Sequence, residues 1–404
     1  MKFPAWLLAT FVLLYTACVK SPGPNKDDKV SITSIVPASG PAGTKVVIKG
    51  AHFGVDPSDN IVRFNNDSAA VLASSVDSLV VIAPANGTTG PVTVSVTGST
   101  ATGPVFAYTA DSVDVYVASP AYGVAYWKDG QEVFLESTQG GVGGAYGIAV
   151  SDTNVYVCGY TTFSTYPGSS AAYWKNGAKT MLSSPDSAGE ARALVLSGND
   201  IYVGGSENYL PVYWKNGVEY RLPTSGGGYA RVNALAVNGN DVYAAGFEAG
   251  PNNDQRSVYW KNGIEIVLGT RAVVDVGATS IATNGNDVYV CATDSGDAVY
   301  WKNGVRVVLQ KFPGDVPVAV TAIAIANNSI YVTGSYQGDA VYWKDGAKIT
   351  LPKHGYSDGA SAITFYQSDI YIGGGDGYWK NGVEIPLCCN LGGGVSSIAV
   401  VKKR

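Results

Sequence analysis

DIYVGGSENYLPVYWKNGVEYRL, residues 200–222, decides the fold. Its residues are mostly β-branched, aromatic or Gly, so it reads as strand and turn rather than helix. A Tyr-bearing piece, DIYVG at 200–204, comes first, and a second piece ends in Tyr213-Trp214. A third, VEYRL, alternates apolar and polar residues. Asn216-Gly217 separates the last two. That dipeptide is the strongest short hairpin signal, because a two-residue type I′ turn needs positive φ at both positions.

The same pattern recurs along the chain. Trp127, Trp174, Trp214, Trp260, Trp301, Trp343 and Trp379 each stand in a Tyr-Trp-Lys-Asn/Asp-Gly motif, which uses seven of the eight Trp. The first and last are 252 residues apart, a mean period of 42. That length suits one four-stranded propeller blade. Each repeat also opens with an Ile-Ala-Val-like piece: GIAV at 147–150, ALAV at 234–237, AIAI at 322–325. Recurrence at fixed strand positions marks the seven Trp and their neighbouring Tyr as packing between blades. Lys128 and its six equivalents are read as solvated side chains on the turn face.

The ends of the array imply closure. The first repeat starts at its second strand, VDVYVA at 113–118, and the chain finishes on an orphan first strand, SSIAVV at 396–401. Paired together they complete a seventh blade and remove two sheet edges. The expected fold is therefore all-β, with a seven-bladed β-propeller of four-stranded blades over residues 110–404. The repeat lacks the Trp-Asp and Gly-His signature of WD40 proteins and the double Gly of kelch repeats, and no named propeller family is assigned.

Residues 30–109 are different. They contain SITSIVPASGPAGTKVVIKGAHFG, then NIVRFNN, then VVIAPANGTTGPVTVSVTG. Pro37, Gly40-Pro41, Gly43, the strand Lys45–Ile48, Gly50 and Phe53-Gly54 resemble the start of an IPT/TIG domain. The resemblance implies an immunoglobulin-like sandwich serving as a spacer or binding module. Alternating strands set by Gly and Pro turns agree with it. His52 is read as a packed turn residue.

The N-terminus carries a targeting pattern. Lys2 precedes an apolar run from Phe3 to Tyr15, and Thr16-Ala17-Cys18 follows. The run is too short to span a membrane. It resembles a bacterial lipoprotein signal, which implies a signal peptide at 1–17 and Cys18 as the lipidated residue. Residues 18–29 then form a polar tether. Asp27-Asp28 resembles the acidic tags of Bacteroidetes lipoproteins, so the expected location is the outer membrane, facing the cell exterior.

Strand alternation divides the propeller into two faces. The first-to-second and third-to-fourth turns share one face and are nearly uniform. The second-to-third loops and the blade connections share the other and vary. Variable loops on a rigid scaffold usually carry function. The candidate ligand-binding aromatics there are Tyr122, Tyr160, Phe163, Tyr166, Tyr209, Tyr229, Phe247, Tyr336 and Tyr356, with Tyr146 and Phe312 beside them. Tyr rings can stack on sugars or pack in protein interfaces.

Composition limits the remaining chemistry. The chain has 404 residues, a net charge of −5 and two His. No basic cluster suits nucleic acid. A lone His354 in the propeller supplies no His-rich metal site, and no catalytic site, metal or cofactor is expected. Cys158 and Cys291 hold the same strand position in different blades and read as small buried hydrophobes. Adjacent Cys388 and Cys389 are a possible vicinal disulfide. The function expected is a non-enzymatic, monomeric surface lipoprotein that binds a glycan or protein through the variable face. The alternatives are a glycoside hydrolase or polysaccharide lyase using Glu207, Glu248, Asp254, Asp294, Asp315 or Asp358, and a structural partner in a membrane complex.

Overall fold

A computed structural model describes residues 29–84, 87–109, 111–120, 123–136, 143–162, 168–185, 187–250, 252, 254–269, 277–312, 314, 318–352, 359–387 and 394–403. Cys18, Tyr122, Phe163, Tyr166, Tyr356, His354, Asp315, Asp358, Cys388 and Cys389 lie outside the described residues. The chain divides into two compact units, residues 1–112 and 113–404.

In the first unit, Ser31–Val36 pairs with Lys45–Ala51, and that strand pairs with Ser78–Ile82. Asn60–Phe64 pairs with Gly90–Val96, which pairs with Ser99–Tyr108. Asp67–Ser75 belongs to both groups, meeting Asn60–Phe64 through residues 67–69 and Ser78–Ile82 through residues 70–75. Period-2 alternation does the packing: Val46, Ile48, Leu79, Val81, Val92 and Val94 are fully buried while their sequence neighbours are less so. Phe64 and Phe106 meet edge to face at 5.0 Å in this core, the geometry the ring quadrupoles favour. His52 sits at φ +62° just after a strand, a turn position as expected, but it is exposed rather than packed.

The second unit consists of seven four-stranded sheets. Blade 1 is Val113–Ala118, Ala125–Lys128 and Gln131–Phe134, with Ser397–Lys402 as its innermost strand. The closing pair runs from Ser397 opposite Ala118 to Lys402 opposite Val113. The sequence expectation of a ring closed by the two ends is met. Blades 2 to 7 begin at Gly143, Gly189, Ala230, Ala278, Val318 and Ala360 and are each formed from consecutive strands.

Neighbouring blades are held by apolar clusters. Trp174 packs with Tyr116, Ala118 and Val124 of blade 1. Trp214 meets Cys158 and Ala171 of blade 2, and Trp343 meets Tyr289 and Cys291 of blade 5. Six of the seven Trp are less than 2% exposed. At about 25 cal/mol per Å² over 150–250 Å², each indole contributes roughly 4–6 kcal/mol as an upper bound.

The uniform face is held by a repeated polar network. In all seven blades the Asn or Asp of the Asn/Asp-Gly turn has φ of 49–51°, and the Gly after it has φ of 80–84°. Its side-chain oxygen accepts the backbone N–H at the start of the second strand, at 2.8–2.9 Å, for example Asn216 from Ile201. The turn residue therefore supplies both the left-handed backbone and a cross-strand bond. The lysines expected to be solvated are at the surface, and they also have partners. Lys128, Lys215, Lys261, Lys302 and Lys380 pair with Asp114, Asp200, Asp241, Asp287 and Asp369 at 2.8–3.0 Å. All seven ammonium groups also lie over a second-strand Tyr ring, 5.2–5.4 Å from its centroid. The Asp and Tyr stand two residues apart on one strand face, so one Lys reaches both.

Candidate functional site

The inner strands carry a device not apparent from strand patterning. In blades 2 to 7 the pairing of the first and second strands skips one residue. The skipped residues are Tyr146, Arg192, Asn233, Thr279, Thr321 and Ser361, and Ser396 holds the same place in blade 1. A β-bulge re-aims the extra residue. Here seven polar side chains border a channel along the propeller axis, with a volume of about 210 Å³. The strands approach closely beside the bulge: a Cβ added at Gly205 or Gly246 would strike the carbonyl oxygen of Glu190 or Arg231, two residues before the bulged position.

Four of these side chains stitch one blade to the next. Asn233 Nδ2 donates to the Ala278 carbonyl at 2.9 Å, Thr321 Oγ1 to Ala360 at 2.6 Å, Ser361 Oγ to Val395 and Ser396 Oγ to Ala145 at 3.0 Å. Thr279 Oγ1 donates within its own blade, to the Cys291 carbonyl at 3.2 Å. Tyr146 and Arg192 depart from this pattern. Both are too large for the stitch. Together with Arg231, Asn233, Thr279 and Ser396 they line a cavity of about 300 Å³ at one end of the channel. These residues lie early in their inner strands, hence on the variable face.

Charge is concentrated there. Glu190 Oε2 accepts from Arg192 Nε at 2.8 Å and from Arg231 Nη1 at 3.4 Å. Arg231 Nε donates to Asn233 Oδ1 at 3.0 Å, and its Nη1 also donates to the Tyr229 hydroxyl at 3.2 Å. The Arg192 guanidinium lies 4.4 Å from the Tyr146 ring centroid. That of Arg231 lies 5.3 Å from Phe247 and 5.9 Å from Tyr229. Burial, with the Arg192 charge beside it, lowers the Arg231 pKa from its usual value. Burial raises that of Tyr146.

The described aromatic candidates fall into three groups. Tyr160 stacks on Tyr146 at 5.7 Å, and Tyr209 meets Tyr229 edge to face at 5.7 Å, so these lead into the Arg192–Arg231 pair. Phe247 is corrected as a ligand contact. It lies within the strand Asp241–Ala249, is 3% exposed, and meets Tyr229 at 5.2 Å, so it supports the site from beneath. Tyr336 meets Lys348 instead, whose ammonium lies 3.7 Å from its ring centroid. Tyr209 is 55% exposed and has φ +64°. The corresponding turn positions of blades 5 and 6 hold Gly296 and Gly338. A Tyr in left-handed backbone costs energy that Gly avoids.

Three of the candidate acids, Glu207, Glu248 and Asp294, serve the scaffold. Glu248 is fully buried and accepts from Thr224 Oγ1 at 2.8 Å and the Gly226 N–H at 2.7 Å, with Arg256 beside it. Asp294 binds Arg306 at 2.5 Å. Glu207 is 8% exposed and faces Glu219. Burial, then the Glu219 carboxyl, raises its pKa, and the bond to Glu207 lowers that of Glu219. Cys158 and Cys291 are buried, and burial holds each thiol up at about 12. Among the described residues no group of three His, Cys, Asp or Glu is placed to hold a metal ion. No helix among them is long and apolar enough to cross a membrane.

Sequence patterning missed Glu190, Arg192, Arg231 and Asn233. For Arg192 and Asn233 a signal was present: the residue two before the first Ile or Leu of each inner strand is polar in all seven repeats, and only at Tyr146 and Arg192 is it large. Glu190 and Arg231 carried none.

Comparison with known proteins gives one family match. The IPT/TIG domain family matches residues 31–110, so the first unit is an immunoglobulin-like IPT/TIG domain. No curated protein matches the chain. Among solved structures, a Bacteroides thetaiotaomicron protein of unknown function is 14% identical, with 94% of this chain and 100% of that chain covered and a TM-score of 0.47. An auxiliary nutrient binding protein from the same organism is 12% identical, with coverages of 86% and 95% and a TM-score of 0.35. Apo AztD from Citrobacter koseri is 12% identical, with coverages of 73% and 83% and a TM-score of 0.37.

Proposed function

We propose that this chain is a non-enzymatic binding protein that takes a glycan or protein at the channel mouth on the variable face of its propeller. One observation carries the proposal. The ring of inter-blade stitches is interrupted at Tyr146, Arg192 and Thr279, and these three help line a cavity of about 300 Å³; exposed Tyr209 reaches its wall through Tyr229, which bonds Arg231. That volume is at the lower end for small-ligand sites, roughly 300–1,000 Å³. A non-enzymatic role is supported by Glu207, Glu248 and Asp294 being tied to structural partners rather than lining the mouth.

The chain is further proposed to act as a monomer held at the cell surface by a lipid on Cys18, the assignment its first 18 residues support. The IPT/TIG domain would act as a spacer between the anchor and the propeller. A glycan array and a membrane pull-down, each run with the parent chain and with Arg192→Gln and Tyr209→Asn variants, test the binding role. Capture that both variants abolish is the expected result, and capture that neither changes would refute the site. Accumulation of shortened saccharide in the same incubations would refute the non-enzymatic role. Release of a Cys18→Ala variant from the membrane fraction is the expected result for anchoring.

A further inference from the structure

The charges at the channel mouth do not cancel. Arg192 and Arg231 share the single carboxylate of Glu190, in a chain whose net charge is −5. Both guanidiniums are largely covered, with side-chain exposures of 25% and 20%. Among the described residues, Arg192 Nη1 and Arg231 Nη2 donate no hydrogen bond. Two partly desolvated like charges held together, each with donors to spare, form a receptor for an oxyanion. Arg192 and Arg231 stand on adjacent inner strands and are each fixed by an aromatic face and a polar partner. That preorganisation lowers the entropy cost of binding.

The neighbours of the pair narrow the ligand further. Asn233, Thr279 and Ser396 border the same cavity and present amide and hydroxyl groups. Exposed Tyr209 stands one ring contact from Tyr229, which hydrogen-bonds Arg231. Its φ of +64°, at a turn position where blades 5 and 6 place Gly, shows that a ring is kept at a conformational cost. An anion clamp, a rim of small polar groups and an exposed aromatic plate together match a sugar that carries a negative group.

Resting on the binding role proposed above, we infer that the mouth is a site for acidic saccharides, a uronate carboxylate taking the Arg192 Nη1 and Arg231 Nη2 donors that Glu190 leaves open, with the adjoining ring face on Tyr209. The neutral polar residues address the hydroxyls. No covalent step is involved.

Calorimetry of the full chain with oligomers of galacturonate, mannuronate and glucuronate tests this, beside their methyl esters and inorganic sulfate. At least one free acid is expected to bind tenfold or more tightly than its ester. Arg192→Gln and Arg231→Gln are each expected to lose tenfold or more, and Arg231→Lys less, because it keeps charge without the planar fork. Thermal melts confirm that the variants fold. Equal binding of acid and ester, lost in Tyr209→Asn, overturns the acidic preference and leaves the binding face standing. Sulfate competing at the same concentration as the uronate shows that charge alone is read, and overturns the saccharide assignment. Binding of no oligomer, or binding that every variant retains, overturns the inference, and in the second case the placement of the site falls with it.

Discussion

Arg192 and Arg231, on adjacent blades and 39 residues apart in sequence, share one carboxylate oxygen of Glu190, at 2.8 and 3.4 Å. That carboxylate offsets the repulsion between the two like charges. Glu190→Gln leaves the guanidiniums facing each other with no counter-charge. The variant should melt several degrees below the parent at low salt. The gap should narrow by more than half at 1 M NaCl, where the screening length falls to about 3 Å. A salt-independent gap would show that Glu190 acts through packing rather than charge.

Tyr209 separates stability from binding. Tyr209→Asn replaces a strained residue with one that tolerates left-handed backbone, while losing the edge contact to Tyr229. Those terms oppose each other at about 1 kcal/mol each. The melting temperature is therefore expected to stay within a few degrees of the parent while ligand affinity falls tenfold or more. A large loss of stability would show that Tyr209 is a packing residue.

The seven Trp are not energetically equal. Trp260 Nε1 donates to the Pro223 carbonyl at 2.7 Å, whereas Trp174 Nε1 is buried with no acceptor among the described residues. Phe at either site loses similar apolar contact. Only Trp260→Phe leaves a carbonyl without its donor, while Trp174→Phe removes an unsatisfied N–H. Denaturant unfolding should find Trp260→Phe less stable than Trp174→Phe by about 1–2 kcal/mol. Equal costs would mean that the indole N–H contributes nothing at either site.

Closure can be tested by truncation. Ending the chain after Val395 removes the innermost strand of blade 1, leaving the Val113–Ala118 edge unpaired and Tyr116 uncovered. The shortened chain should aggregate or melt at least 10 °C lower, since an open edge recruits other chains and the lost interface is apolar. A monomer of parental stability would refute the ring.

Glu207 gives a pH signature. Its folded pKa is raised by burial and by Glu219, so the folded state holds the proton longer than the unfolded chain does. Stability is then lost as pH climbs from about 4.5, the unfolded value, through the raised folded one. Glu207→Gln escapes that loss. The variant should melt a few degrees above the parent at pH 7–8, with the advantage vanishing below about pH 4. An advantage independent of pH would exclude the carboxyl pair as its cause.

Much of the molecule is legible in the repeat. The Asn/Asp-Gly turn, the Tyr-Trp pair and the aliphatic inner strand are local patterns, each imposed by short-range backbone and packing demands. Seven copies of each, with a first repeat lacking its inner strand and an orphan inner strand at the chain's end, dictated blade number and closure. The candidate site was less legible. Loop aromatics such as Tyr209 were visible as exposed-loop residues, but Phe247 looked the same and is buried, because strand ends and loop tips are not distinguished by composition. The solvated lysines also lie over Tyr rings, and five pair with Asp, contacts hidden in the sequence because the partners lie on a strand paired across the blade.

Sequence alone therefore determined the blades, their order and the way the ring shuts, since these follow from periodic signals within about 42 residues. Only the tertiary structure decided what faces the axis. A one-residue bulge turns Tyr146, Arg192 and Asn233 inward, and a bulge is a register shift between two strands that neither strand shows by itself. Ring closure then gathers polar residues from all seven blades around one channel. It places two arginines beside a single glutamate, a charge arrangement that exists only where separate repeats meet.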